Sequence, residues 1–362
     1  MSRKAKILVT SAAGKTGLPL VQQLCERGFP VRAMVRREDA RARVMRDMGA
    51  EVMVGNIFDM ADVQRAMAGV QRAYHCAPTA PGGLQFGAIF AAAAAEARLE
   101  HVVMLGQWLS DVRHVSSFTR DVWLSEEMLK LLPDTTLSVV NVGWFADNYF
   151  MVLPMAAQLG VLPMPLGDGD EKKNAGPSNE AIAAVAAGCL ADPAIHAGKT
   201  YRPTGPELLS PNEIAAAMGT ALGRRVRYMP VSDRMFAKAV RASAPSNYSH
   251  LMLSQLAIYV QEYRRRAFAV NAPTDVVETV GGMAPEAFLE TAWRAATRPE
   301  AQRTVSKKLA ALWGFARVGL TPVPDLERAM AEAHLPVLEN PRYVGDSTDW
   351  VETHSGSLTA AA

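Results

Sequence analysis

The sequence has few of the residues that build metal, disulfide or hydrolase sites. Its three cysteines, Cys25, Cys76 and Cys189, are odd in number and far apart. This usage fits a reducing compartment and predicts a cytoplasmic protein. No HxH or HxxxH spacing joins the histidines, so no metal site is expected. A GxSxG nucleophile elbow is also missing, which argues against a serine hydrolase.

Long apolar runs and an excess of one charge are also lacking. The run Phe86–Ala97 is too short to span a membrane, and Met151–Gly167 contains three prolines. Neither reaches the roughly 20 clean apolar residues of a spanning helix. A net charge of +2 gives no electrostatic reason to expect nucleic acid or an anionic membrane as the main partner. The sequence therefore predicts neither of these partners.

What is present is a regular alternation of short β-rich runs and helix-like stretches. The predicted strands are Lys6–Thr10, Val31–Val35, Glu51–Val54, Val70–Ala77, His101–Leu105 and Thr136–Val142. Near-continuous apolar strands separated by helices indicate a parallel sheet covered on both faces. The predicted fold class is therefore α/β, a doubly wound Rossmann-type sheet that binds ligands at the carboxyl ends of its strands.

The alternation weakens after about residue 150, which suggests three parts. Residues 1–150 are predicted to form the dinucleotide-binding domain, and residues 151–290 a smaller, mostly helical lobe that carries the substrate site. Within this lobe, Ser210 is expected to cap a helix whose first residue is Pro211. Residues 291–362 are expected to form a helical extension whose tail, from about Glu339, is loose.

A small-residue loop follows the first predicted strand and leads into a helix. Such a loop lets the backbone approach a pyrophosphate, whose charge is stabilised at the helix N-terminus. The predicted pyrophosphate-binding residues are Thr10, Ser11, Ala13, Gly14, Lys15, Thr16 and Gly17. Ser11 replaces the usual first glycine, so the turn is expected to avoid a strongly positive φ there. A kinase-type phosphate loop is excluded, because Val9 stands where that motif needs glycine.

The end of the second strand favours NADPH over NADH. An acidic residue there would bind both ribose hydroxyls of NAD, but Arg36 and Arg37 follow Val35 instead. Two arginines suit a 2′-phosphate, although they also fit a solvated helix start. The residues expected beside the adenosine are Asn56, Ile57, Ala77, Pro78 and Thr79.

With these residues in place, the chain resembles the NmrA-like branch of atypical short-chain dehydrogenases. The matching segments are the glycine loop, Arg36-Arg37, residues 55–59, 143–148, 201–207 and 271–275. The resemblance covers about residues 5–290 and implies an NADP(H)-binding Rossmann fold. It also implies either a reductase of quinones, imines or aromatic compounds, or a cofactor-sensing regulator.

The catalytic pair of ordinary short-chain dehydrogenases is missing. That pair is a tyrosine and a lysine four residues later, and placement by the resemblance puts Thr119 and Trp123 there. Neither can donate a proton to a carbonyl and hold the ribose. His114, in the loop after the fifth strand, is one candidate proton donor, with a solvated surface role as the alternative. Gln107 is a second candidate that would orient the substrate by hydrogen bonding.

Several aromatic side chains are expected at one crevice. The predicted substrate-binding residues are Trp108, Trp123, Trp144, Phe145 and Tyr149, with packing between the two lobes as the alternative. The leading hypothesis is an NADPH-dependent reductase of a hydrophobic, aromatic small molecule that transfers hydride directly. The rival hypothesis is a redox sensor that binds NADP(H) without turnover. The sequence is also compatible with a homodimer.

Overall fold

The computed structural model describes residues 4–243, 250–325, 328, 331 and 338–355. Its strands are β1 (Ile7–Val9), β2 (Val31–Val35), β3 (Glu51–Val54), β4 (Arg72–His75), β5 (His101–Gln107), β6 (Thr136–Val142), β7 (Val161–Met164), β8 (Thr200–Tyr201) and β9 (Arg227–Pro230). Seven of them form one sheet in the order β3-β2-β1-β4-β5-β6-β8, and every pairing in it is parallel. The predicted doubly wound fold is confirmed.

Helices cover both faces of this sheet. Those that follow its strands are α1 (Gly17–Glu26), α2 (Ala40–Asp47), α3 (Met60–Met67), α4 (Gly83–Ala97) and α5 (Ser117–Lys130). The caps explain where three of them begin, since Asp39, Asp59 and Ser116 each accept a first-turn backbone N–H. Such a cap stabilises a helix by about 1 kcal/mol.

The first strand shows why its sequence is continuously apolar. Ile7 and Val9 pack into the core beneath α1, while Leu8 between them packs into the opposite core beneath α3 and α4. Successive side chains of a strand point to opposite faces, so a strand covered on both sides must be apolar at every position.

Two later elements return to this sheet. The remaining helices are α6 (Leu153–Leu159), α7 (Asn179–Ala191), α8 (Pro193–His196), α9 (Pro211–Ala221), α10 (Asp233–Ser243), α11 (His250–Arg264), α12 (Val276–Thr279), α13 (Phe288–Ala296) and α14 (Val305–Leu320). Helix α7 packs on α1, and β8 pairs with β6. The segment 179–201 therefore belongs to the sheet domain, although the sequence-based boundary placed it in the second lobe.

The second lobe is built around its own apolar core. Strands β7 and β9 pair in parallel, and Ser210 forms the predicted cap of α9 as part of a capping box with Glu213. The segment Met151–Gly167 has a lid-like, proline-rich composition, yet Met164 and Leu166 are fully buried in this core. Among the described residues, no helix has both the length and the apolar character needed to cross a bilayer.

The tail expected to be loose is folded as far as residue 355. A short 3-10 turn, Val344–Asp346, leads into a final helix, Thr348–Ser355. Val344 and Trp350 are buried in the core of the second lobe. The prediction failed because this tail has distant partners that sequence alone does not reveal: Arg342 pairs with Asp111, and the backbone of Val344 and Gly345 bonds to the buried Glu262. Residues 356–362 lie outside the described residues.

Candidate active site

The loop after β1 is shaped by close backbone packing. A Cβ atom at Gly17 would lie 2.5 Å from the carbonyl oxygen of Ser11, and one at Gly14 would lie 3.0 Å from it. Ser11 itself has a φ of 51°, which corrects the expectation that the turn avoids the left-handed region. Its hydroxyl donates to the carbonyl of Cys76 at 2.9 Å, which joins this loop to the end of β4.

The start of α1 is open to an anion. Thr10 is fully buried, and its hydroxyl donates to the carbonyl of Tyr74 at 2.8 Å, so its role here is to join β1 to β4. Thr16 lies at the N-cap of α1 but makes no capping bond; its hydroxyl lies 3.2 Å from that of Tyr74. The first-turn N–H groups thus lack a side-chain cap, which fits a pyrophosphate at this helix end.

Lys15, in the same loop, is paired with a buried carboxylate. Its ammonium group contacts Asp147, which also accepts from Arg298 at 2.6 Å. Burial by itself would raise the pKa of Asp147, but the bonds from Lys15 and Arg298 outweigh it and lower that pKa below its ordinary value. This ionic cluster ties the glycine loop to the chain after β6 and to the second lobe.

A group of arginines surrounds the end of β2. Arg36 and Arg37 are both exposed, and Arg36 has no ion-pair partner within the described part of the chain. The sequence-based reasoning missed Arg41, whose guanidinium donates to the carbonyl of Ala13 in the glycine loop at 2.9 Å. The side-chain bond from Arg41 lowers the pKa of Asp39 to about 2. The loop therefore faces a cationic surface, as a 2′-phosphate requires.

The predicted adenosine side lies at the same edge of the sheet. Asn56 follows β3, and its side-chain oxygen accepts from the backbone N–H of Phe58 at 3.1 Å. Ile57 is half-buried beside it, while Ala77, Pro78 and Thr79 are half-buried after β4. Since β3, β2, β1 and β4 are neighbours in the sheet, these loops and the glycine loop share one edge. Their residues fit an extended dinucleotide.

Gln107 is the last residue of β5 and the centre of a polar cluster. Its side-chain oxygen accepts two hydroxyl hydrogens, from Thr119 at 2.7 Å and from Tyr259 at 2.6 Å. No partner of its amide nitrogen is found among the described residues. With the amide oxygen facing the two hydroxyls, the two N–H groups are left to serve a ligand.

A second layer holds this cluster in place. Gln255 donates to the hydroxyl of Thr119 at 3.4 Å and accepts from Ser116. Burial raises the pKa of Tyr259, so its hydroxyl stays protonated and donates. The sequence-based reasoning missed Gln255 and Tyr259, which both lie on α11. The signal that could have found them is the polar spacing of Gln255, Tyr259 and Glu262 on one face of α11.

His114 is enclosed in the protein interior. It is fully buried, its Nδ1 accepts from the N–H of Ser116 at 3.1 Å, and its Nε2 lies 3.2 Å from the carboxylate of Glu262. Glu262 also accepts from the backbone N–H groups of Val344 and Gly345, at 2.7 and 2.9 Å. Both ring nitrogens are thus occupied, which gives His114 the geometry of a structural junction rather than that of a proton donor.

The five predicted aromatic residues do not form one wall. Trp108, Trp144 and Tyr149 are buried in the core of the second lobe, whereas Phe145 packs against the core under α1 and α7. Trp123 is half-buried on α5. The Tyr149 hydroxyl donates to that of Tyr263 at 3.2 Å. The alternative, packing between the lobes, therefore describes three of the five positions.

A cavity of 330 Å³ opens elsewhere, between α10 and α11. Its lining residues include Phe236, Val240, Leu253, Leu256 and Val260. None of its lining residues belongs to the Gln107 cluster, since Gln255 and Tyr259 are directed from α11 toward β5 and α5. The cavity is separate from the cleft at the carboxyl ends of the strands.

Comparison with known proteins supports the predicted class of activity. The NAD(P)H azoreductase of Xenophilus azovorans is 27% identical over 300 residues, which span 79% of this chain and 96% of that protein. Quinone oxidoreductase 2 of Escherichia coli strain K12 is 26% identical over 245 residues, 65% of this chain and 81% of its own. These relatives agree with the predicted class, an NAD(P)H-dependent oxidoreductase of a small molecule.

A solved structure shows the same fold. The Citrobacter sp. triphenylmethane reductase, complexed with NADP(H), superposes with a TM-score of 0.65 at 22% identity, covering 80% of this chain and 99% of that one. A sequence model of the NmrA-like family matches residues 3–266. The chain belongs to the NmrA-like family.

Proposed function

We propose that this protein is an NADPH-dependent reductase that transfers hydride directly to a flat, conjugated small molecule, with Gln107 binding the acceptor. The observation that carries the proposal is the fixed amide of Gln107, whose oxygen is held by Thr119 and Tyr259. Gln107 lies at the carboxyl end of β5, where a doubly wound sheet binds its ligands.

The residues that would hold NADPH are those of the sheet edge described above. The backbone of the glycine loop would face the pyrophosphate, and Arg36 and Arg37, with Arg41 behind them, would face the 2′-phosphate. The bound cofactor supplies the hydride. Everything else in the reaction, including binding and orienting the acceptor, falls to the protein.

An acceptor with delocalised electrons explains how the site works without the usual tyrosine and lysine. Thr119 stands in place of that tyrosine and is engaged with Gln107. Negative charge that develops on a conjugated oxygen or nitrogen would be stabilised by the N–H groups of Gln107. A cationic acceptor becomes neutral on receiving hydride and needs no proton from the protein at all.

The substrate class is supported by the similar proteins rather than by the aromatic residues that were predicted to bind substrate. Trp108, Trp144 and Tyr149 are occupied with core packing. The similar proteins are named for azo compounds, quinones and triphenylmethane dyes, and all three groups are conjugated hydride or electron acceptors. We therefore place an aromatic substrate at Gln107 on the ground of this shared chemistry.

The test is NADPH oxidation against a panel of quinones, azo dyes, triphenylmethane dyes and imines. For an active member of the panel, Gln107→Leu is expected to lower kcat/KM by about 10- to 100-fold, the loss of one oriented hydrogen bond to a charged transition state. The dissociation constant of NADPH should not change. The matched control is Gln22→Leu, at an exposed position on α1 that leaves the cleft untouched.

Two results would count against the proposal. Full activity of Gln107→Leu would show that Gln107 takes no part in the reaction. Tight NADPH binding without turnover of any panel member would favour the rival hypothesis of a redox sensor.

A further inference from the structure

Helix α14 presents its large apolar side chains to solvent. Its inward face carries small or slender residues, Ala311, Gly314 and Val318, and packs on α6 and α10. Its outward residues are strongly exposed: Val305 78%, Leu309 61%, Leu312 48%, Trp313 66% and Leu320 79%. A surface helix of a globular protein normally has the opposite arrangement.

The outward residues form one continuous stripe. Leu309, Leu312, Trp313 and Leu320 follow Val305 at spacings of four, seven, eight and fifteen residues, which place them on the same side of an α-helix. The helix is also held firmly, since Lys238 of α10 donates to the carbonyl of Gly319 at 2.9 Å. The apolar stripe is therefore a fixed outer surface of the second lobe.

The charge carried by α14 itself is of one sign. Residues 301–324, which lie between Glu300 and Asp325, include Arg303, Lys307, Lys308 and Arg317 and no aspartate or glutamate. Lys308 and Arg317 lie at the two borders of the stripe, as their spacing of nine residues requires. Apolar residues with a tryptophan, bordered by cations, are typical of helices that lie in the interface of an anionic bilayer.

The same charges disfavour a second copy of this chain as the occupant. An antiparallel pair of α14 helices that met at Leu312 and Trp313 would place Lys308 of each copy level with Arg317 of the other, so that four cations would surround one apolar contact. Like charges gathered around an interface disfavour it. An anionic phospholipid surface, by contrast, is attracted by every one of these cations.

We propose that α14 is a membrane-docking helix that lays its stripe of Val305, Leu309, Leu312, Trp313 and Leu320 into the surface of an anionic phospholipid bilayer. The sequence-based expectation of no membrane partner rested on net charge and on the lack of a spanning run. A helix of 16 residues does not need to span in order to bind. The proposal is independent of which substrate the cleft accepts.

The test is cosedimentation of the full chain with vesicles of phosphatidylcholine, with and without phosphatidylglycerol. We expect binding to the anionic vesicles, weakened by high salt, and a blue shift of the Trp313 emission, obtained by subtracting the spectrum of Trp313→Phe. The variant Leu309→Ser/Trp313→Ser should bind at least about tenfold more weakly. The control Leu131→Ser/Ile195→Ser removes two equally exposed apolar residues of the sheet domain and should bind as the wild type does.

Three outcomes would overturn the proposal. The first is equal sedimentation of the wild type and Leu309→Ser/Trp313→Ser with anionic vesicles. The second is a concentration-dependent dimer, seen in sedimentation velocity and lost in that variant, which would assign the stripe to a second copy. The third is a Trp313 emission that is already blue-shifted in buffer, which would mean that the chain itself covers the stripe.

Discussion

We propose that individual charged residues set the preference of this site for NADPH. Within the described residues, Arg36 has no ion pair, and the ion pair of Arg37 is a long one, 3.8 Å from its guanidinium to the Asp39 carboxylate. An arginine already committed to a strong ion pair would have to break it before binding a phosphate. Their freedom makes them available for the 2′-phosphate.

Replacing both arginines is predicted to remove the preference for NADPH. In Arg36→Ala/Arg37→Ala, the dissociation constant of NADPH should rise by about 10- to 100-fold, the loss expected for charge-assisted hydrogen bonds. That of NADH should change little. Fluorescence titration with both nucleotides measures this, and Arg43→Ala, an exposed arginine on α2, is the control. An equal loss for the two nucleotides would show that these arginines do not bind the 2′-phosphate.

His75 illustrates a residue whose role is confined to the core. It is fully buried between Phe86 and Phe90, with ring centroids 4.7 and 4.5 Å away. Burial lowers its pKa from 6.5 to about 3, so the folded protein keeps it neutral. Between the two pKa values, 6.5 and about 3, His75 of the unfolded chain binds a proton and that of the folded protein does not. Stability therefore falls as the pH drops below 6.5.

Removing this histidine is predicted to make stability less dependent on pH. Between about pH 4 and 6, one proton contributes a slope of about 1.4 kcal/mol per pH unit to the free energy of unfolding. The slope for His75→Leu should be smaller than that of the wild type by up to this amount. Urea unfolding at several pH values measures both slopes. Equal slopes of the free energy of unfolding against pH for the wild type and His75→Leu would mean that His75 is protonated in the folded protein.

At the scale of elements, the strands of the sheet were predictable from sequence. The position of helix α11 beside Gln107 was not. Each strand of residues 1–150 can be recognised from its local sequence, as Ile7–Val9 is from being apolar at every position. Gln107 could be proposed from sequence because it lies just after the predicted strand His101–Leu105, and its role stays a proposal. Tyr259 lies about 150 residues later on α11, and only the folded chain brings it to Gln107. Ser11 was misjudged because its left-handed φ accompanies a tertiary bond to Cys76.

Helix α11 connects the cleft to the tail through Glu262. In Glu262→Gln, the amide N–H would face either Gly345, which bonds to one oxygen of Glu262, or Val344 and His114, which share the other. An unsatisfied buried group of this kind costs about 1–3 kcal/mol. We expect lower stability and faster hydrogen exchange in residues 338–355, measured by mass spectrometry. Exchange equal to that of the control Glu352→Gln, an exposed position, would show that Glu262 does not hold the tail.

At the scale of the whole molecule, the two lobes divide the work. In the proposed function, the sheet domain would bind the cofactor with the glycine loop and the arginines after β2, while the second lobe contributes Tyr259 and Arg298, the partner of Asp147. Sequence patterns located the first because its motifs are local. They missed most of the second because its contacts join distant parts of the chain. The predicted homodimer and cytoplasmic location stay predictions.

The central claim is direct hydride transfer from NADPH to an acceptor in the cleft at Gln107. It is tested most directly with NADPH carrying deuterium at C4 on either face and a cationic triphenylmethane dye, whose central carbon keeps the transferred atom in a bond that does not exchange with water. The account predicts that the product contains deuterium with one of the two labelled cofactors, as measured by mass spectrometry. A product without deuterium from either cofactor would contradict direct transfer.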